Sequence, residues 1–190
     1  MKKYSAVALC WFAAAGSVQA ESATYAIDPT HTFVTFEVRH FGTSTVRGRF
    51  DRTQGSVVLD KAARSGRAEV TIDAASISSG IADFDAHLKN QDFLDVPRHP
   101  AAKFVAERLE FDADGKVSGV PGALTLLGKT LPVTLRAAHF NCYQHPRRQR
   151  EVCGGDFETT IQRSQWGMGF GLPGIPDSVR LTVQIEAVRQ

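Results

Sequence analysis

Two stretches near the ends of the chain alternate apolar and polar side chains with a period of two. The first covers residues 34–40, with Val34, Phe36 and Val38 in apolar positions, and the second covers residues 179–187. Successive side chains of a β-strand point to opposite faces, so each stretch predicts a strand with one dry and one wet face. Repeated around a closed sheet, this pattern encloses an apolar interior.

Further stretches of this kind, separated by turn residues, predict about eight strands in all. The predicted strands span residues 32–40, 45–50, 55–60, 68–73, 102–111, 120–127, 133–141 with its partner 155–164, and 179–188. Glycine-containing turns separate several of them, and Asp114-Gly115 is the strongest hairpin signal. Eight antiparallel strands can close into a barrel that holds one small ligand, so the predicted fold is an all-β barrel.

One segment, residues 78–100, interrupts the strand pattern. Its apolar residues Ile81, Phe84 and Leu88 have the spacing of one face of a helix. Proline at position 97 limits how far a helix can continue. We therefore expect a short helical insertion between the fourth and fifth strands, placed to plug or gate one mouth of the barrel.

Residues 1–20 have the features of a secretory signal peptide. A basic head precedes an apolar stretch at residues 7–15, and small residues form a cleavage site that ends at Ala20. The mature chain would then be residues 21–190, which is the length of one domain. The bacterial style of the signal favours a periplasmic location.

The charge balance argues against nucleic acid as a partner. The full chain has 22 basic and 20 acidic residues. Two of the basic residues, Lys2 and Lys3, belong to the predicted signal peptide, so the mature chain is formally neutral. A nucleic-acid-binding domain would need a net basic face.

Two cysteines, Cys142 and Cys153, remain after cleavage of the signal peptide. An even pair in an oxidising compartment predicts a disulfide, which would close a short loop and contribute about 3 kcal/mol. A zinc site is the weaker interpretation, because no histidine stands at ligand spacing from the cysteines.

Four sets of motifs extend over nearly the whole mature chain. They are YAIDPTHTFVTF at 25–36 with VRGRF at 46–50, DAHL at 85–88 with DFLDV at 92–96, GALTLLGKTLPVTL at 122–135, and RSQWGM at 163–168. In this order they resemble the YceI-like family of periplasmic lipid-binding proteins. The resemblance implies an extended eight-stranded antiparallel lipocalin-like β-barrel with a short helical insertion.

The resemblance also implies a function. The family's apolar cavity holds a long isoprenoid or similar amphiphilic chain, with isoprenoid quinone precursors as the suspected cargo. It implies no catalytic residues and no cofactor beyond such a lipid, and it implies pairing into a homodimer. The spacing of the histidines, taken by itself, indicates no metal site. This chain departs from the family at Phe84, where an Arg usually precedes the Asp of the DAHL motif, and in its Cys142–Cys153 loop.

The inward-facing positions of the strands and of the insertion predict the residues that line the cavity. Ordinary core packing is the alternative for each of them taken singly. The predicted ligand-binding residues are Phe36, Val38, His40, Phe84, Leu88, Phe93, Phe104, Leu124, Leu126, Leu135, Ile161, Trp166 and Met168. Apolar walls of this kind bind a lipid tail by burial, and a few polar groups at the mouth supply specificity.

Two histidines, His40 and His139, fall in apolar positions of their predicted strands. Either could donate a hydrogen bond to a quinone or phenol oxygen inside the barrel. The cluster of Arg147, Arg148 and Arg150 has two interpretations: a solvated loop, which we favour, or a transient docking point for anionic lipid head groups, near which each charge adds about 1 kcal/mol.

We therefore predict a non-enzymatic periplasmic carrier that sequesters a polyisoprenoid, an isoprenoid quinone or a related lipid. Three alternatives remain open: a carrier of fatty-acyl lipids, a stress-related secreted protein without a stable ligand, and a small secreted enzyme acting on a lipid-like substrate. The enzyme would need a titratable side chain facing the cavity, for which His40 is the best nominee.

Overall fold

The structure is a computed structural model and describes residues 22–190. The predicted signal peptide, residues 1–20, lies outside the described residues. The strands are β1 (Ala23–Ile27), β2 (Phe33–His40), β3 (Ser44–Phe50), β4 (Thr53–Asp60), β5 (Ser65–Asp73), β6 (Ile77–Ser78), β7 (Ala101–Ala106), β8 (Glu110–Phe111), β9 (Val117–Leu126), β10 (Lys129–Gln144), β11 (Glu151–Gln162) and β12 (Ser178–Arg189). The helices are one α-helix, α1 (Ala82–Lys89), and two short 3₁₀ helices, at Ala74–Ser76 and at Arg163–Trp166.

Eight strands close into an antiparallel barrel. Their order is β1-β4-β5-β7-β9-β10-β11-β12, and β12 pairs back with β1. The edge of β12 is shared, because residues 187–189 pair with β1 and residues 180–184 pair with β2. From β2 the sheet continues through β3 to β6. The predicted all-β, eight-stranded barrel with a short helical insertion is confirmed.

The barrel has two distinguishable ends. The connections before and after one strand of an antiparallel pair lie at opposite ends of the sheet. The β9–β10 turn and residues 163–177, which join β11 to β12, therefore lie at one end, which we call the wide end. The β10–β11 turn, residues 145–150, lies at the other end, which we call the narrow end.

The structure differs from the predicted elements in several places, and the short strand β6 is one of them. Strand β1 was not predicted, because its inward-facing residues Ala23, Tyr25 and Ile27 form only a short alternation. The predicted strand 102–111 is divided into β7 and β8. In the insertion, Ile81 precedes the helix and is 62 % exposed, so it does not share the buried face of Leu88. Among residues 22–190, no helix has the length and apolar character to cross a bilayer.

The predicted disulfide between Cys142 and Cys153 is present near the narrow end. The two residues are directly opposite each other in the β10–β11 pair. The covalent link therefore ties two strands that are already hydrogen-bonded neighbours, and it closes the hairpin that contains the 145–150 turn.

Candidate functional site

Two cavities lie inside the barrel. The large cavity, toward the wide end, has a volume of about 570 Å³. The small cavity, toward the narrow end, has a volume of about 80 Å³. Ligand pockets usually measure roughly 300–1,000 Å³, so only the large cavity has the size of a binding site.

Phe104 on β7 stands at the border between the two cavities. Phe104 lines the small cavity, whereas Ala102 on the same strand and Leu124, its partner on β9, line the large one. Its ring lies over Gly122, where an added Cβ would be 2.5 Å from the ring. The glycine therefore allows the phenyl ring to lie against the sheet between the cavities.

The walls of the large cavity are almost entirely apolar. Within the described part of the chain, His40, His87 and Arg163 are the only lining residues with ionisable side chains. The others carry aliphatic, aromatic or thioether side chains, apart from one glycine. Such a site can bury a hydrocarbon chain, but it offers few groups for acid–base chemistry.

The structure brings most of the predicted site residues together. Those that line the large cavity are Phe36, Val38, His40, Leu124, Leu126 and Ile161 from the strands, Phe84, Leu88 and Phe93 from the insertion, and Met168 from the segment after β11. Phe104 and Leu135 line the small cavity. Trp166 lines neither cavity; it is 4 % exposed, and its indole N–H donates to the Leu124 carbonyl at 3.3 Å.

The two histidines nominated for hydrogen bonding to a ligand have different surroundings. His40 lines the large cavity at its mouth. His139 is exposed, because a β-bulge between Ala137 and His139 shifts the register of β10. An extra residue in a strand changes which side chains face inward, and here Phe140 lines the small cavity. The prediction that His139 lies in an apolar-facing position was therefore wrong.

Arg163 was known only as part of a motif, and the structure shows it buried in the cavity wall. Its side chain is 3 % exposed. Nε donates to the Pro176 carbonyl at 3.0 Å, Nη1 to Met168 at 2.8 Å and Nη2 to Ile175 at 2.9 Å. Burial lowers the pKa of the guanidinium, while Asp177 opposes this shift. Arg163 thus holds the segment between β11 and β12 in place.

Aromatic side chains from separate segments meet at the mouth of the large cavity. The ring of His87 lies edge-on to Phe93 at 5.0 Å and to Phe170 at 5.2 Å between centroids. Phe93 and Phe170 are 5.5 Å apart. Sequence analysis missed Phe170 because it lies in a glycine- and proline-rich segment that has no strand or helix periodicity. His87, by contrast, follows Phe84 by one helical turn, and this spacing could have identified it.

The Phe84 departure also affects the cavity wall. Phe84 lines the large cavity from α1, at the position where the sequence resemblance implies an arginine. A phenyl ring contributes apolar surface and no charge at this point.

Two cysteine side chains and one glutamate side chain lie close together at the narrow end, but they do not form a metal site. The side chains of Cys142, Glu151 and Cys153 approach one another closely. The sulfurs are bonded to each other, so neither is a thiolate able to bind a metal. Glu151 instead accepts a hydrogen bond from Tyr25 at 2.6 Å and pairs with Lys61. Burial, together with Glu151, raises the pKa of Tyr25 to about 12.

A closed antiparallel barrel with an apolar internal cavity is the architecture of a protein that binds small apolar ligands. The chain belongs to the YceI-like domain family, whose profile matches residues 25–187. This confirms the resemblance drawn from the sequence motifs, and the family's fold is that of binding proteins.

The chain matches known proteins over most of its length. A UPF0312 protein of Pseudomonas aeruginosa (strain LESB58) is 33% identical over 175 residues, which cover 90% of each chain. The crystal structure of Burkholderia cenocepacia BcnA has a TM-score of 0.70 and 25% identity, covering 85% of this chain and 99% of that one. A polyisoprenoid binding domain from Saccharophagus degradans, implicated in plant cell wall breakdown, has a TM-score of 0.61 at 16% identity, covering 88% and 99%.

Proposed function

We propose that the protein binds a long, largely apolar lipid of the polyisoprenoid type and carries it through the periplasm. The observation that carries this proposal is the apolar cavity of about 570 Å³ at the wide end. Each methylene group moved from water into such a cavity contributes about 0.8 kcal/mol. A long prenyl tail therefore has a sufficient driving force for binding without any hydrogen bond in the interior.

The polar groups of the cavity fix the orientation of the lipid. His40 and His87 lie at the mouth, where a head group can be hydrogen-bonded, whereas Leu124 and Ile161 provide apolar surface for the tail. Three nitrogens of Arg163 already donate to backbone carbonyls. We therefore place the head group at the histidines. Replacing His40 by alanine should lower lipid occupancy without unfolding the barrel.

Two further considerations support a prenyl lipid with a head group of low charge. A protein of the same fold is described as a polyisoprenoid binding domain. Phe84 contributes a phenyl ring to the cavity wall, where the family resemblance implies an arginine. A neutral head group such as a quinone fits this wall better than a diphosphate, because a buried anion needs a charged or hydrogen-bonding partner.

The proposal can be tested by mass spectrometry of organic extracts from protein purified gently from its native compartment. Ala102 lines the large cavity, and Ala101 is exposed on the other face of the same strand. Ala102→Phe should fill part of the cavity and reduce the lipid recovered per protein. Ala101→Phe adds the same side chain outside and is the matched control.

A stoichiometric prenyl lipid that is lost in Ala102→Phe and retained in Ala101→Phe would support the proposal. Recovery of a fatty-acyl lipid would support the carrier function but would contradict a prenyl lipid as its cargo. An empty cavity that also fails to take up added prenyl and acyl chains would contradict the proposal. A product released from a lipid substrate would favour the enzyme alternative.

The periplasmic location rests on the signal-like N-terminus and on the disulfide, since disulfides persist in oxidising compartments. N-terminal sequencing of the mature protein from a periplasmic fraction tests the location and the cleavage site together, with Glu21 as the expected first residue. The homodimer implied by the family resemblance stays a prediction, which light scattering at several protein concentrations can decide.

A further inference from the structure

The border of the large cavity exposes apolar side chains to water. We define the rim as residues 39–44, around the β2–β3 turn, together with residues 167–176, between β11 and β12. Phe41 is 64 % exposed, Phe170 is 46 % exposed and Leu172 is 39 % exposed. Phe41 and Phe170 also line the cavity. The apolar surface is therefore continuous from the interior of the barrel to its outside.

Large exposed hydrophobic side chains are scarce elsewhere among residues 22–190. Ile81, just before α1, is 62 % exposed, and Tyr143, near the narrow end, is 41 % exposed. The Tyr143 hydroxyl donates to the Glu186 carboxylate at 3.4 Å. The exposed Tyr143 therefore has a hydroxyl group that forms a hydrogen bond, whereas the phenyl rings of the rim have no polar atom.

The backbone holds Phe41 in a conformation that a bulky residue rarely adopts. Phe41 has φ 47° and Gly42 has φ 70°, and the Thr43 N–H donates to the His40 carbonyl at 2.9 Å. This is a type I′ hairpin turn, whose first central position favours Asn, Asp or Gly. In the β9–β10 turn at the same end, Leu127 also has a positive φ, of 51°. Strained residues of this kind tend to mark functional sites.

The charges at this end suit an approach to lipid. Arg39 is the only residue of the rim that is formally charged at neutral pH, and it has no carboxylate partner in the described part of the chain. Nearby, Lys129 at the start of β10 donates to the backbone carbonyl of Gln165. An apolar surface bordered by cations that no carboxylate neutralises matches a bilayer, whose phosphates lie above its acyl chains.

We propose that the rim docks onto the surface of a phospholipid bilayer, with Phe41 and Phe170 inserted among the acyl chains and Arg39 at the phosphates. The inference rests on the proposed function, because a prenyl tail that crosses water is exposed along its length, whereas a docked mouth keeps it covered. A second copy of this chain fits less well, since three exposed side chains fall short of the roughly 20–30 residues per partner in a stable interface.

The test is co-sedimentation of the purified protein with phosphatidylcholine vesicles at low and at high salt. Phe41→Asn creates an Asn-Gly turn, the preferred pair for this turn type, so the hairpin is retained while the ring is lost. Combined with Phe170→Ser, it should weaken vesicle binding by roughly tenfold or more, the factor expected for loss of an inserted phenylalanine side chain. Wild-type binding should change little with salt.

Tyr143→Asn is the matched control, since it removes an exposed ring near the narrow end and should bind vesicles like the wild type. Absence of wild-type binding, or unchanged binding by the double variant, would overturn the proposal. So would a wild-type dimer that Phe41→Asn converts to a monomer without any vesicle binding, because the rim would then be covered by a second copy.

These vesicles contain no prenyl lipid, so docking is measured separately from the cargo. A protein that docks but takes up no prenyl lipid would contradict the proposed function alone. A protein that carries prenyl lipid but ignores vesicles would contradict docking alone.

Discussion

The narrow end of the barrel is held by a covalent bond and by ion pairs, whereas the rim at the wide end has neither. The Cys142–Cys153 disulfide joins β10 to β11, and Lys61 and Tyr25 converge on Glu151. The segments of the rim form no ion pair among the described residues. The interior follows the same division, with the small cavity toward the narrow end and the large cavity toward the wide end.

The turns at the two ends also differ in which side chains occupy positions with positive φ. At the narrow end, the residues with positive φ other than glycine are Arg64 and Gln149, which are polar. At the wide end, the β2–β3 and β9–β10 turns have the apolar residues Phe41 and Leu127 in such positions, and the insertion has Asp95. Of the two apolar residues, Phe41 is exposed and Leu127 is half-buried. A polar residue tolerates exposure in a strained turn, whereas an apolar one adds an unfavourable contact with water. The stabilising disulfide and ion pairs thus lie at the narrow end of the barrel, and the large cavity lies at the wide end.

The largest expected effect comes from removing the ring at the border of the two cavities. Phe104→Ala should lower the free energy of unfolding by roughly 3–5 kcal/mol, the usual range for a buried phenylalanine. It should also join the cavities, so that longer prenyl chains are preferred. Urea unfolding measures the first effect, and competition between prenyl chains of different length measures the second.

Val117→Ala is the control for Phe104→Ala. Val117 lines the small cavity but is not among the residues lining the large one, so its truncation enlarges the small cavity only. Chain-length preference should then stay at the wild-type value. An unchanged preference in Phe104→Ala, despite lost stability, would show that the two cavities remain separate.

Removal of the disulfide should weaken the narrow end and leave the wide end intact. The cysteines are 11 residues apart in sequence. Replacing both by serine should lower the free energy of unfolding by about 3 kcal/mol, because the unfolded chain gains freedom. Lipid content should not change. Reductant should destabilise the wild type by a similar amount and have no effect on the variant. Loss of lipid from the variant would show that the disulfide at the narrow end also supports the large cavity at the wide end.

An acidic residue near the narrow end should make stability depend on pH. A hydrogen bond from the Thr30 hydroxyl, with smaller contributions from His31 and Arg148, lowers the pKa of Asp28 to about 2 from an ordinary 3.8, against the opposing effect of burial. The folded state therefore gains stability above about pH 4, and this gain is lost as the pH falls toward 2. Asp28→Asn should lower the free energy of unfolding by about 2 kcal/mol at neutral pH.

Unfolding in urea at several pH values measures this effect. The difference between wild type and Asp28→Asn should shrink below about pH 4 and vanish near pH 2. Asp114→Asn, in the exposed turn before Gly115, is the control and should match the wild type throughout. A difference that persists at the lowest pH would mean that Asp28 acts through packing rather than through its charge.

The sequence predicted the barrel well because its strands have one apolar face, and their alternation is visible without any tertiary information. The same alternation placed Phe36, Leu124 and Ile161 in the large cavity. It failed at His139, because a single extra residue in β10 changes the face of every residue beyond it. No propensity signals a bulge of this kind reliably in a long strand.

The rim could not be predicted from the hydrophobic periodicity of the sequence, for a different reason. Phe170 and Ile175 lie in a segment whose course is fixed by Arg163, which donates to carbonyls of residues 168–176. Such bonds depend on the folded position of one side chain and leave no repeat in the sequence. Likewise, Phe41 stands in a turn that the Phe-Gly pair did suggest, but its exposure at the mouth follows only from the closed barrel.

The smallest expected effect concerns the arginine cluster of the 145–150 turn, the sequence-based candidate for lipid docking. The turn lies at the narrow end, away from the mouth of the large cavity, and Arg148 is paired with Asp28 at 3.1 Å. Replacing Arg147, Arg148 and Arg150 by alanine should cost no more than about 1 kcal/mol of stability, as for exposed ion pairs.

Vesicle binding by the triple arginine variant should equal that of the wild type, because the exposed phenyl rings proposed to dock lie in the rim, at the other end of the barrel. Co-sedimentation with phosphatidylcholine vesicles, and with vesicles that also contain phosphatidylglycerol, measures this at low and high salt. Binding that disappears in the variant and weakens with salt would assign docking to the narrow end. The mouth would then face away from the membrane, and lipid transfer would require the barrel to detach and turn before loading.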